Sequence, residues 1–193
     1  LGSDIEAAVI ANTNVSAEEL LALILDEFEI TRPTGGKADM LMALNQFLVD
    51  RYSHRKRVLL VIDEGQNLSD QALEEVRMLS NLQSDDQSLL QIMLVGQPEL
   101  VARLKQPSMR QFSQRIAASY HLTGLDRQET GSYIAHRLKK AGGDPELFTE
   151  AAVEIIYKLS GGIPRTINLV CQAALVYGFA ESAARIGQDT IRQ

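Results

Sequence analysis

Two adjacent acids, Asp63 and Glu64, directly follow the apolar run Val-Leu-Leu-Val-Ile at 58–62. A continuous run of Val, Leu and Ile is typical of a strand that is buried on both faces of a parallel sheet. Open α/β sheets bind their ligands at the carboxyl ends of the strands, which is where these acids would lie. An aspartate there can hold the water shell of Mg²⁺, and a neighbouring glutamate can polarise an attacking water.

This combination of strand and acids predicts the second signature (Walker B) of a nucleoside triphosphatase. The first signature, G-x-x-x-x-G-K-[ST], occurs nowhere in the 193 residues. The stretch Gly-Gly-Lys-Ala at 35–38 lacks the earlier glycine and the Ser or Thr that would bind magnesium. It also follows Pro33-Thr34, which is typical of a loop and not of a buried strand. We therefore do not expect residues 35–38 to hold phosphates.

Alternating apolar runs and amphipathic stretches predict a parallel α/β sheet up to Thr123. After Thr123 the pattern changes to three helices without strands, which indicates a small helical lid. The predicted organisation is an α/β core at 1–123, with a turn at 84–87, and a lid at 124–193. Strands are predicted at 6–11, 58–62, 89–95 and 116–122.

Composition and charge limit the classes of function. The net charge is −6 and the pI is about 5.1, so no overall field would attract nucleic acid or anionic lipid. Cys171 is the only cysteine, which excludes an internal disulfide and a cysteine zinc site in this chain. No apolar run reaches the roughly 18 residues of a membrane span, and no cleavable signal is visible. We therefore predict a cytoplasmic protein.

Other polar residues follow the acids in a characteristic order. Gln97 comes at the end of the strand predicted at 89–95, and Arg110 and Arg115 come next. Arg165 closes the later sequence Gly-Gly-Ile-Pro-Arg at 161–165. In this order the parts resemble an AAA+ ATPase of the P-loop NTPase class. Most of the chain resembles the general secretion pathway protein A (ExeA-like) family and its relatives linked to exosortase and pilus-biogenesis loci. The stretches that carry this resemblance are 60–68, 94–100, 114–116 and 162–168.

The resemblance implies ATP and magnesium as cofactors and assigns roles to individual residues. Asp63 would coordinate magnesium, and Glu64 would orient the attacking water. Gln97 would be the polar sensor that contacts the γ-phosphate or that water. These would be the catalytic residues of the core, together with an arginine that reaches the nucleotide of a neighbouring subunit.

Arg115 matches the position of that arginine finger, and Arg110 is the alternative candidate. Arg165 matches the second sensor, which binds nucleotide from the lid. Each arginine can also be an ordinary solvated surface charge. An arginine finger contributes roughly 10³–10⁵ in rate, so these assignments carry a large expected effect.

The resemblance further implies that the first strand and the phosphate-binding loop lie just upstream of Leu1. The chain is therefore interpreted as an internal fragment that binds nucleotide weakly or not at all and is inactive alone. In AAA+ proteins the strand in question lies in the middle of the sheet, between the strand ending near Gln97 and the one ending near Leu122. Without it two strand edges are unpaired, which predicts a shifted sheet or a strand-mediated dimer.

Three functional readings remain open from the sequence. The first is an ATPase that couples ATP turnover to the assembly of secretion or pilus machinery, through oligomers and protein partners, with a possible association of the parent protein with the inner membrane. The second is a DNA-associated AAA+ module of the transposition-regulator or helicase-loader type, which the acidic pI disfavours. The third is a non-catalytic interaction domain that uses the fold as a scaffold.

Overall fold

A computed structural model describes residue 2, residues 4–84 and residues 87–192. The chain divides into two compact units, residues 1–119 and 120–193. Each unit has its own cluster of buried apolar side chains. The turn predicted at 84–87 falls partly on Asp85 and Asp86, which lie outside the described residues.

The first unit contains the strands β1 (Ile5–Ile10), β2 (Arg57–Ile62), β3 (Gln83–Ser84), β4 (Gln87–Ser88) and β5 (Leu90–Leu94). Three of them form a parallel sheet in the order β1-β2-β5. A short antiparallel pair, β3-β4, precedes β5, and two 3-10 turns lie at Gly65–Asn67 and Pro107–Met109. The helices are α1 (Ala17–Glu27), α2 (Lys37–Ser53), α3 (Asp70–Leu79), α4 (Pro98–Leu104) and α5 (Arg110–Ser113).

Local sequence signals explain where the first helices begin. Ser16 accepts a hydrogen bond from Glu19 N while the Glu19 carboxylate accepts one from Ser16 N, so a capping box starts α1. The Ser69 hydroxyl caps α3 by accepting from Ala72 N. Proline at the first position of α4 needs no hydrogen-bond partner for its nitrogen.

Within the described part of the first unit, helices cover one face of the sheet. The fully buried side chains of Leu60 and Ile62 pack in one cluster with apolar residues of α1, α2 and α3. On the opposite face, the strand register places Val9, Val61 and Met93 in one row. Val9 is 53% exposed and Met93 is 52% exposed. The prediction that the strand at 58–62 is buried on both faces is therefore wrong for this face, which no described helix of the first unit covers.

The predicted fourth strand at 116–122 is also wrong. These residues form no strand in the part of the chain that the structure describes. Tyr120 is 90% exposed and Leu122 is 84% exposed. An extended segment gains ladder hydrogen bonds only beside another strand, and its apolar residues need a sheet face to bury them. The sheet keeps the order β1-β2-β5, so the predicted shift of strands is not observed either.

The second unit is helical, and the three helices predicted from the sequence are present. Asp126 and Glu129 form a capping box at the start of the first of them. Gly162 has a φ of +74°, and a Cβ there would lie 1.9 Å from Leu125 O, so this turn requires glycine. The helices are α6 (Arg127–Lys140), α7 (Glu150–Ser160), α8 (Pro164–Ala180) and the short α9 (Gln188–Ile191). In the described parts of both units, no helix has the length and apolar character needed to cross a membrane.

Candidate functional site

The acids Asp63 and Glu64 lie at the carboxyl end of β2, the middle strand of the sheet. The backbone ladder continues past the strand on both sides. Asp63 N donates to Ile10 O at 2.9 Å, and Val95 N donates to Ile62 O at 2.8 Å. Both acids are exposed at this rim. Because hydrogen bonds to the flanking strands fix the backbone at Ile62 and Asp63, the two acidic side chains are attached to a rigid backbone.

The backbone of Glu64 adopts the left-handed conformation, with φ 52° and ψ 36°. This conformation costs a non-glycine residue about 1 kcal/mol or more, so it persists only where surrounding contacts hold it. Here the Thr13 hydroxyl donates to Glu64 O at 2.9 Å, and Glu64 N donates to Asp63 Oδ1 at 2.8 Å. Thr13 is only 2% exposed, so its hydroxyl is a fixed donor. A residue of the segment that follows β1, Thr13, therefore stabilises the turn after β2.

The side chain of Gln66 joins Glu64 to the end of β5. Gln66 Nε2 donates to Glu64 Oε2 at 2.6 Å, and Gln66 Oε1 accepts from Gln97 N at 3.0 Å. Glycines permit this close approach. A Cβ at Gly96 would lie 2.8 Å from Gln66 Oε1, and one at Gly65 would lie 2.7 Å from Leu94 Cδ1. The structure thus brings two of the predicted site residues, Glu64 and Gln97, to one place.

Arg103 on α4 anchors the turn that carries Gln66. Its guanidinium donates to Gln66 O at 3.3 Å and to Leu68 O, and its Nε donates to Asp70 Oδ1 at 3.2 Å. Sequence reasoning assigned no role to Thr13, Gln66 or Arg103. Gln66 lies inside one of the stretches that carry the family resemblance, which is the one signal that pointed to it. Thr13 and Arg103 had no such signal, since their partners are 51 and 33–37 residues away.

The predicted arginines occupy exposed positions. Arg110 is the first residue of α5, and Arg115 follows that helix, with its N–H donating to Phe112 O at 2.9 Å. Both belong to the same unit as the acids. Arg165 is the second residue of α8 in the other unit, directly after Pro164. The structure therefore places Asp63, Glu64 and Gln97 at one rim of the first unit, while Arg165 belongs to the second unit.

Residues 35–38 lie at the start of α2, and their lysine is already paired. Lys37 Nζ contacts the carboxylate of Glu75, a residue on α3 that is only 5% exposed. A buried carboxylate needs such a partner because an unpaired buried charge is strongly destabilising. Lys37 therefore serves a structural ion pair, which supports the interpretation that residues 35–38 do not cradle phosphates.

The oxygen donors at the rim suit a magnesium ion that arrives with a nucleotide. Mg²⁺ prefers oxygen ligands and is usually held by one or two carboxylates together with waters and substrate phosphates. Asp63 uses Oδ1 for the Glu64 N–H, and a carboxylate has a second oxygen to offer. Within residues 4–84 and 87–192, no three His, Cys, Asp or Glu side chains cluster as an all-protein metal site. The free carboxylate oxygen of Asp63 is therefore suited to bind Mg²⁺ as the main protein ligand.

Comparison with known proteins gives two sequence matches. Residues 3–104 match the family described as AAA domain. Over 187 residues the chain is 40% identical to General secretion pathway protein A of Aeromonas hydrophila. That match covers 96% of this chain and 34% of the relative, so the chain spans about a third of the relative's length.

Solved structures with the same architecture share little sequence with the chain. CDC6P from Pyrobaculum aerophilum superposes with a TM-score of 0.69 at 16% identity, covering 95% of this chain and 50% of that one. The ADP form of Aeropyrum pernix ORC2 gives 0.67 at 17% identity, covering 97% and 52%. The Thermotoga maritima RuvB Holliday junction branch migration motor gives 0.52 at 18% identity, covering 97% and 59%. Identities this low show a shared fold and carry no information on partners.

Proposed function

Because this chain belongs to the AAA domain family and has the parallel-sheet fold of P-loop AAA+ ATPases, as its sequence predicted, we propose that it is the core and lid of a secretion-type ATPase. The supporting observation is the placement of Asp63 and Glu64 at the end of the middle strand, with the Glu64 carboxylate linked through Gln66 to Gln97. In open parallel sheets this rim is where ligands bind.

The division of labour among the residues follows from phosphoryl-transfer chemistry. Such transfer depends mainly on positioning and charge neutralisation, with little covalent chemistry for the protein to perform. A bound Mg²⁺–ATP would supply the metal and the reacting phosphate. Asp63 would hold the metal's water shell, Glu64 would orient the attacking water, and Gln97 would contact the γ-phosphate or that water. Arg115 (or Arg110) and Arg165 would add positive charge from a neighbouring subunit and from the lid.

A phosphate-binding loop must act together with these residues, and the sheet has room for it. Residues 1–193 contain no G-x-x-x-x-G-K-[ST] sequence. Among the described residues β5 pairs with β2 alone, so its other edge is open, and the row Val9, Val61 and Met93 marks an uncovered apolar face. A strand, loop and helix joined upstream of Leu1 could pair with that edge and cover that face. The relative's greater length is compatible with such a segment.

We expect residues 1–193 alone to bind ATP weakly or not at all, because their sequence contains no G-x-x-x-x-G-K-[ST] loop whose backbone N–H groups would surround the phosphates. Joining the upstream segment with a phosphate loop is expected to tighten binding at least tenfold and to switch on magnesium-dependent hydrolysis. Titration calorimetry and a phosphate-release assay measure the two effects. Submicromolar ATP binding by residues 1–193, or hydrolysis by them that Glu64→Gln abolishes, would contradict the expectation that these residues are inactive without a phosphate loop.

We also expect residues 1–193 to self-associate through the open edge and face of the sheet. An exposed strand edge flanked by apolar side chains is a template for pairing with another chain. Met93→Glu places a charge on that face and should shift light-scattering mass toward the monomer. Met42→Glu is the matched control, since Met42 is 62% exposed on α2. A clean monomer of the unmodified chain at high concentration would rule out the strand-mediated dimer.

The similarity to General secretion pathway protein A supports a role in secretion or pilus assembly. In this role the energy of ATP hydrolysis would be coupled to assembly steps through an oligomer and its protein partners. We place the ATPase unit on the cytoplasmic side, where ATP is available. Salt-dependent DNA binding by the protein that carries the phosphate loop would favour the DNA-associated function instead. An absence of ATPase activity in that same protein would favour the non-catalytic interaction domain.

A further inference from the structure

Among the described side chains, Gln66 alone forms hydrogen bonds both to the Glu64 carboxylate and to the turn after β5. The backbone of its own turn is held independently of this side chain. Gly65 N donates to Val95 O at 2.8 Å, and Leu68 N donates to Gly65 O at 3.3 Å. Arg103 adds its bonds to the carbonyls of Gln66 and Leu68. Removing the Gln66 amide would therefore release Glu64 without unfolding the turn.

We propose that Gln66 is a positioning residue that ties the Glu64 carboxylate to the backbone at Gln97, so that movement of the turn after β5 is transmitted to the acid. This role rests on the proposed function, in which Glu64 orients the attacking water. It goes beyond that function because it links the predicted sensor, Gln97, mechanically to the predicted base. A phosphate that displaces Gln97 would move the Gln66 amide and the carboxylate with it.

The chemistry of an amide suits this task. Its nitrogen donates while its oxygen accepts, so one side chain satisfies a carboxylate at one end and a backbone N–H at the other. The amide is neutral, so Glu64 keeps its full negative charge and its remaining lone pairs for a water. A glutamate at position 66 would keep the acceptor for Gln97 N but lose the donor and repel Glu64. A methionine of similar length would lose both bonds.

The surroundings leave little room for any other arrangement. Gly96 lies against the amide oxygen, since a Cβ there would approach it to 2.8 Å and would approach Gln66 N to 3.3 Å. Glu64 itself is fixed by its left-handed backbone and by the buried Thr13 hydroxyl. With both flanking backbones fixed, the amide sets where the carboxylate group lies. A misplacement of about 1 Å in such a site can cost about 100-fold in rate.

Hydrogen exchange tests the bridge without any nucleotide. In residues 1–193, Gln66→Met should speed exchange of the Gln97 amide at least about tenfold, because its acceptor is gone. Gln66→Glu keeps that acceptor and should leave the exchange rate within about threefold. Gln71→Met is the control, since Gln71 is an exposed residue of α3. Unchanged exchange at Gln97 in Gln66→Met would overturn the bridge.

Kinetics of the protein that carries the phosphate loop test the role. We expect both Gln66→Met and Gln66→Glu to lower kcat about 10–100-fold, with KM for ATP within about threefold and Gln71→Met unaffected. If Gln66→Met unfolds at a lower temperature than the wild type, the comparison of kcat with the wild type rests on Gln66→Glu. Wild-type kcat in both variants, or a kcat above wild type, would overturn the positioning role. Hydrolysis that survives Glu64→Gln would instead overturn the proposed function, so the two failures are distinguishable.

Discussion

Replacing Glu64 by glutamine is expected to reduce ATP hydrolysis by about 1,000-fold in the protein that carries the phosphate loop, while ATP binding stays within about threefold. Glutamine has the same shape as glutamate, and its oxygen can still accept from Gln66 Nε2. It cannot accept a proton from water and polarises water less, because it carries no charge. The loss should therefore fall on kcat. Phosphate release measures the rate, and titration calorimetry measures the binding.

A matched substitution separates this effect from a general change of charge. Glu27→Gln removes one negative charge at the last residue of α1, an exposed position at the end of the helix opposite its start after β1. It should leave kcat within about twofold. Hydrolysis by Glu64→Gln above a tenth of the wild-type rate would contradict the assignment of Glu64. Absence of hydrolysis in the wild type as well would favour the interaction-domain reading.

Sequence patterns predicted individual elements where local chemistry decides the structure. The run at 58–62 became β2 because five apolar residues in sequence favour a central parallel strand. Ser16 with Glu19, and Asp126 with Glu129, form capping boxes because both partners lie within one helical turn. Burial on both faces of β2 could not be predicted in the same way, since it depends on which elements cover the sheet.

The segment 116–122 shows where a local pattern is insufficient. Ile116, Tyr120 and Leu122 alternate with polar or small residues as in a strand, yet all three are exposed. Strand formation requires a partner at the sheet, and the sequence of a segment does not contain that information. The same reasoning explains why the contacts of Thr13 and Gln66 were missed. Thr13 reaches Glu64 and Gln66 reaches Gln97 only because the strands bring distant residues together.

Arg115→Ala is expected to lower hydrolysis about 1,000-fold in the protein that carries the phosphate loop, if this guanidinium neutralises charge on the nucleotide of a neighbouring subunit. Arg115 lies exposed after α5, where a neighbour can reach it. Arg110→Ala is the matched comparison, because Arg110 is exposed at the first residue of the same helix. It should keep more than about a third of the rate. The reverse ranking would move the finger to Arg110.

Mixing two inactive variants tests whether Arg115 acts between subunits. An Arg115→Ala subunit keeps its acids, and a Glu64→Gln subunit keeps its arginine. In a mixed oligomer, an interface is complete where the acids of an Arg115→Ala subunit face the arginine of a Glu64→Gln neighbour. Random assembly of equal amounts should restore about a quarter of the wild-type rate, since head-to-tail interfaces place each site against one neighbour. Each variant alone stays inactive, and dilution below the assembly threshold should abolish the recovery. No recovery in assembled mixtures would show that Arg115 does not act on a neighbour's nucleotide.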